Sequence, residues 1–250
     1  MKVTFVGTTA CTPEIGSEVA SFMINDNILV DTGWYGVMKM REHGFDPGKL
    51  EYLILTHLHQ DHYMGLPQIV FWKGIKQVDE KGKKSAPLTI IGPSQHLETI
   101  VNSVMTFLQV PRFHELAIDF KLVPLKPGES FKTEHFQLDT FASRHMSGVD
   151  RQEEALTCKY AEPASGKSFV FTGDTSYHPP IAEFAKNASV LIHDACHTQP
   201  KDVAAIGKMA DAGKLYLIHC TNQNGPAALK DAQAIFPRSF LAREGEVIAI

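Results

Sequence analysis

Three imidazoles and a carboxylate are packed into His57-Leu58-His59-Gln60-Asp61-His62, a spacing that reads as a metal site. Imidazole nitrogen and carboxylate oxygen suit Zn²⁺, Mn²⁺ or Fe²⁺, ions that activate water and neutralise charge on an attacked group. The segment before it, Leu50 to Thr56, reads as a short, mostly apolar buried strand. The His-rich turn then lies at that strand's C-terminal end, by a sheet-edge crevice where α/β folds collect ligands. A turn this short cannot close a metal site alone, so further ligands are expected at the ends of later strands. His145 follows the apolar pattern from Phe136, Asp174 follows Ser168 to Gly173, and His219 follows Leu215 to Ile218. Gly173 lets the backbone before Asp174 turn tightly toward the site.

The elements that must hold these residues follow from the hydrophobic pattern. Strands are expected at Val3 to Val6, Ser21 to Ile24, Ile28 to Val30 and Tyr52 to Leu55, with Asn25-Asp26-Asn27 as a hairpin turn. Helices are expected over Gly65 to Trp72 and over Ser94 to Leu108, with Ser94 as N-cap, and a strand over Leu88 to Ile91 between them. The pattern returns to β from Phe120 to Phe141, and Ala155 to Tyr160 pairs with Ser168 to Phe171 across Pro163-Ala164-Ser165-Gly166. Strand and helix then alternate: helices over Ile181 to Ala185, Val203 to Ala210 and Ala227 to Ile235, strands over Val190 to Ile192 and Leu215 to Ile218, and a terminal strand pair ending at Ile250. Two β-rich halves with later helices imply an α/β, four-layer αββα sandwich formed as one domain, 1–250.

Composition limits the partners. With 250 residues, 44% of them hydrophobic, the chain can bury a sizeable core. A formal net charge of -4 gives no global basic field, which argues against extensive non-specific nucleic-acid or membrane binding. No signal-peptide pattern or long apolar run is present, so a cytoplasmic protein is expected. The four cysteines, Cys11, Cys158, Cys196 and Cys220, are too sparse for a disulfide framework and are expected reduced. Cys196 precedes His197 and Cys220 follows His219, so a thiolate ligand is conceivable at either, with a buried free thiol the commoner case. The run Lys73 to Lys84 is read as a solvated loop, or more sharply as a rim loop able to hold a phosphate. His114, His178 and His197 are assigned to loops or the surface.

The order His57, His59, Asp61, His62, His145, Asp174, His219 resembles, residue by residue, the ligand order of the metallo-β-lactamase-fold hydrolases. The likeness spans most of the chain and includes Phe5-Val6-Gly7-Thr8 and Val30-Asp31-Thr32-Gly33, whose aspartate supports the ligand turn in that family. The resemblance implies a first metal on His57, His59 and His145, a second on Asp61, His62 and His219, and Asp174 bridging both. It implies two divalent ions, zinc first and Mn or Fe as alternatives, and a bridging hydroxide as nucleophile that Asp61 orients.

Val190-Leu191-Ile192-His193-Asp194-Ala195 resembles the His-Glu-Ala-Thr segment of the ribonuclease Z and cyclic-phosphodiesterase branch, with Asp194 in place of glutamate. That likeness implies His193 as general acid beside the metals. A strand-end histidine bonded structurally is the other reading. The branch's long tRNA-gripping arm lies between the positions of His145 and Asp174, where this chain has room for a strand pair and no arm. Expected substrates are therefore small molecules or short nucleotides rather than full-length tRNA, and a homodimer is compatible with the sequence. Class B β-lactamases place a cysteine at Asp174, flavo-diiron oxygen reductases a glutamate at His59, and glyoxalase II a helical domain after the last histidine. A lactonase or other ester or thioester hydrolase shares all seven ligands and stays open, as does a non-catalytic metal-binding or sensing module.

Overall fold

The computed structural model describes residues 1–78, 85–147, 151–152 and 154–250. Two seven-stranded sheets face each other. The first runs Val247–Ala249, Lys2–Gly7, Ser21–Ile24, Ile28–Val30, Tyr52–Ile54, Leu88–Pro93 and Phe120–Leu125, antiparallel at first and parallel from Ile28–Val30 onward. The second runs Ser239–Leu241, Lys214–Ile218, Val190–Asp194, Ser168–Phe171, Leu156–Ala161, Gln137–Ala142 and Ser130–Lys132, with its first four strands parallel.

The period of two along each strand separates the layers. Phe5, Phe22, Val30 and Ile54 meet Phe169, Phe171, Ile192 and Ile218 in the interior between the sheets. Alternate residues face outward: Val6, Leu29, Leu53 and Leu55 pack under helices that include Leu66–Ile75 and Leu97–Phe107. Leu191, Leu215 and Leu217 pack under Ile181–Phe184, Pro200–Met209 and Gly225–Gln233. This is the four-layer αββα sandwich expected from the sequence.

Three expectations need correction, and one helix is added to them. The terminal strands are not a pair: Ser239–Leu241 extends the second sheet beside Lys214–Ile218, whereas Val247–Ala249 crosses over and pairs with Lys2–Gly7. Alternation shows that each is a strand but cannot show its partner. Ser94 caps no helix, because its hydroxyl bonds the Glu154 carboxylate and the helix starts at Leu97 after His96 in left-handed backbone. Lys73 is no solvated loop residue. It lies in Leu66–Ile75, fully buried, and its ammonium donates to the carbonyls of Gly48 at 3.0 Å and Leu50 at 2.8 Å. The end of that charged run, 79–84, lies outside the described residues. Finally, the helix Gly36–Glu42 was not anticipated, being short and without a capping side chain.

Candidate metal centre

The His-rich turn is positioned from below by Asp31. It follows Ile28–Val30 with φ 51°, a left-handed conformation that costs a non-glycine residue and persists only when surroundings over-determine it. Its Oδ1 accepts the Thr56 N–H at 2.8 Å, and its Oδ2 accepts the Thr56 hydroxyl at 2.8 Å and pairs with His62 Nδ1 at 2.9 Å. Binding Nδ1 leaves His62 Nε2 facing the cluster, the usual way a carboxylate orients a ligating imidazole. Thr32 Oγ1 accepts the Gly65 N–H at 2.9 Å, and the Thr32 N–H donates to the His62 carbonyl at 2.8 Å. These bonds fix the entry to the ligand turn at Thr56 and the C-terminal side of the short helix Gln60–Tyr63, which carries Asp61 and His62.

The second sheet brings the other three residues. Gly173 has φ +56°, and a Cβ there would meet Thr56 Cβ at 3.0 Å and the Leu156 carbonyl at 3.2 Å. The turn before Asp174 therefore touches the first sheet's ligand loop as closely as backbone allows. Arg144 N–H donates to Thr175 Oγ1 at 3.1 Å and Ser176 N–H to the Arg144 carbonyl at 2.7 Å, tying the His145 loop to the Asp174 loop. His219 follows Lys214–Ile218 with φ 62°, a second strained non-glycine at the site.

The structure brings all seven sequence-expected residues together. Ligand atoms of His57, His59 and His145 lie within 4.8 Å of one another, as do those of Asp61, His62 and His219, and those of His57, His62 and Asp174. His62 Nε2 lies 3.3 Å from Asp61 Oδ2 and 3.5 Å from Asp174 Oδ1, and His57 Nε2 lies 3.9 Å from Asp174 Oδ2. His145 Nε2 and His59 Nδ1 are 2.9 Å apart. Nε2 of His57, Nε2 of His62 and both ring nitrogens of His219 are buried without a hydrogen-bond partner. Buried polar atoms are nearly always paired, so orphaned nitrogens converging with buried carboxylates fit divalent cations.

Charge is divided within the cluster. Burial, and then the neighbouring His62, His145, His59 and His219, hold His57 well below the ordinary imidazole range. Burial also depresses His145, to about 4. Burial works against charge on His62, but Asp174 and Asp31 outweigh it and raise its pKa well above the usual value. Burial would raise Asp61, yet the neighbouring His219 and His62 imidazoles bring it well below the carboxylate range.

His193 is not among the residues brought together. It lies on the outward face of Val190–Asp194, in phase with Leu191, which packs against the helices, while Asp194 shares the inward phase of Ile192. His193 is fully buried, with Nδ1 2.7 Å from the Asp194 carbonyl, and among the described residues it belongs to none of the metal-capable sets. The histidine that lines the cluster is His197. Its Nδ1 lies 2.9 Å from Asp194 Oδ2 and 3.6 Å from Asp174 Oδ2, and its ring centroid lies 5.0 Å from that of His145. Asp194 also accepts the N–H groups of Thr175 and Cys196. Parity finds His197 once the layers are seen: the residues of the strand that face the interior are even-numbered, so Asp194, with a histidine three positions on, faces the site.

The family profile described as Beta-lactamase superfamily domain matches residues 26–234. The chain belongs to the β-lactamase superfamily, and in class it is a hydrolase. Its relatives lie in the ribonuclease Z branch that the sequence resembles. A ribonuclease Z of Pyrococcus abyssi is 26% identical over 96% of this chain and 94% of its own length. A ribonuclease BN of Enterobacter sp. is 22% identical over 98% of each chain. That match extends over 313 aligned positions, against 250 residues here, so the relative carries insertions that this chain lacks. Among solved structures, the metallo-β-lactamase fold protein YhfI from Bacillus subtilis covers 99% of each chain at 22% identity with a TM-score of 0.77. Human tRNase Z, short form, covers 100% of this chain and 99% of its own at 22% identity, also with a TM-score of 0.77. No helix among the described residues is long and apolar enough to cross a membrane.

Proposed function

We propose that the chain, acting as a single metallo-hydrolase domain over 1–250, is a binuclear metal-dependent phosphodiesterase of small or short nucleotide substrates. One observation carries the reading: the orphaned nitrogens of His57, His62 and His219 converge with Asp61 and Asp174 in sets that share members. His57, His59 and His145 would hold one ion, Asp61, His62 and His219 the other, and Asp174 would serve both. Two divalent ions, zinc first, would lower the pKa of a water molecule into the neutral range and offset charge on the attacked phosphate. Asp61 orients the attacking water. Asp194 accepts the Nδ1 proton of His197 and sets the ring's tautomer, so His197, in place of His193, delivers a proton to the leaving oxygen. The relatives named ribonuclease Z and BN support phosphodiester chemistry. The net charge of -4 and the shorter chain support a short substrate over full-length tRNA.

The test is a zinc-loaded activity panel. Hydrolysis of bis-p-nitrophenyl phosphate is expected, abolished by chelator and lowered at least ~100-fold in Asp174→Ala. Metal analysis should return about two ions per chain. Opening of lactones or thioesters with no phosphodiester cleaved would transfer the chain to an ester-hydrolase reading, and one ion or none would sink the binuclear one.

A further inference from the structure

One metal-capable set contains a residue that the proposed reaction does not use. Cys196, His197 and His219 each offer a ligand atom, and these atoms lie within 4.8 Å of one another. Cys196 and His197 follow the strand Val190–Asp194 directly, and their backbone N–H groups both donate to Asp194 Oδ1, at 2.8 and 3.3 Å. That shared acceptor curls the segment and holds the thiol and the imidazole beside each other at the rim. Cys196 is exposed. His219 is buried, and neither of its ring nitrogens has a hydrogen-bond partner. The set therefore runs from solvent to the wall of the buried cluster.

The donor chemistry differs from that of the interior. The seven residues assigned to the buried ions offer only nitrogen and oxygen, whereas this set adds sulfur, which selects thiophilic ions such as Zn²⁺, Co²⁺ and Cd²⁺. Bonds of about 2.3 Å to sulfur and 2.0 Å to nitrogen place tetrahedral donors ~3.5 Å apart, so small side-chain rotations close the set on a cation. We propose that Cys196, His197 and His219 form a rim site for a thiophilic divalent cation, overlapping the buried centre at His219. The proposal rests on the metal-centre reading only through that shared histidine. Binding exchanges the thiol proton for the cation and, where His219 already holds a buried ion through its other ring nitrogen, the remaining imidazole proton as well, and releases them to buffer. A cation held there also takes His197 away from the leaving group, so thiophilic ions in excess occupy the position of the general acid.

Cobalt separates the two readings. Co²⁺ is titrated into the full-length chain after chelator treatment, and absorption is followed in the visible and near ultraviolet. The wild type should show visible ligand-field bands together with a near-ultraviolet thiolate-to-cobalt charge-transfer band. Cys196→Ser should lose the charge-transfer band and keep the visible bands, which also show that the variant is folded. Cys220→Ser should keep both, since Cys220, with its sulfur 3.8 Å from the Ile218 carbonyl, belongs to none of the metal-capable sets among the described residues. Visible bands without a charge-transfer band in the wild type, or a charge-transfer band that survives in Cys196→Ser, would overturn the rim site and leave the metal centre standing. The absence of every band would overturn both.

Discussion

Asp194 and His197 lie three positions apart, and the 2.9 Å contact between Oδ2 and Nδ1 sets the charge of the imidazole as well as its orientation. The hydrogen bond to Asp194 is the leading cause that raises the His197 pKa above the ordinary imidazole value, ahead of the opposing effect of burial. A raised pKa keeps the acid form present at higher pH, so turnover that needs this proton should fall only above the usual imidazole range. Asp194→Asn removes the carboxylate and should move the alkaline limb of the kcat profile to lower pH, and an unmoved limb would argue that His197 is not the titrating acid. His197→Ala should lower kcat ~10²- to 10⁴-fold on alkoxide leaving groups and far less on p-nitrophenolate, which needs no proton. Equal losses on the two substrates would remove the role. His193→Ala, by contrast, should respond mainly in stability, because its ring is packed on the helix side of its strand.

At the scale of elements, the ligands hang on strand ends and the turns after them, and a backbone change there should be felt by both sheets. Gly173→Ala forces a side chain into left-handed backbone and toward the Leu156 carbonyl 3.2 Å away. A stability loss of about 1–3 kcal/mol is expected, together with reduced metal affinity, read by thermal melting and by zinc titration. Unchanged affinity would show that the turn does not place Asp174. The elements that carry the site were legible because their signals are local: each of His57, Asp174 and His219 directly follows an apolar run, and Gly173 announces its turn. The face of Val190–Asp194 was not legible. A parallel strand covered on both sides is apolar throughout, so His193 and Asp194 look equally inward until Leu191 and Ile192 are seen in different layers. Ser94 misled for a related reason. Its hydroxyl has the chemistry of a cap, but Glu154, sixty positions on, claims it. The crossing of Val247–Ala249 to the first sheet depends likewise on a partner at the other end of the chain.

For the whole molecule, the centre spans the two sheets, with His57, His59, Asp61 and His62 following a strand of the first and His145, Asp174 and His219 following strands of the second. Metal binding should therefore stabilise the complete fold. At zinc concentrations ~100-fold above Kd the gain is about 2.7 kcal/mol per site, or about 5–10 °C in Tm for a chain of this length, and a chelator should reverse it. A melting point that ignores zinc would show that the ions do not bind across the sheets.

The same division governs the order of assembly. The first ligand turn leaves a ribosome long before His219 exists, and neither sheet alone owns either of the two sets assigned to the buried ions. The ions cannot template the early chain, so the interior must close first on its own apolar contacts. Phe22 stands at the centre of that closure, with Phe171 at 5.1 Å, Phe169 at 5.9 Å and Tyr160 at 6.4 Å reaching it from the opposite sheet. On the proposed ligand assignment, metal uptake is then expected as a late event on a finished scaffold.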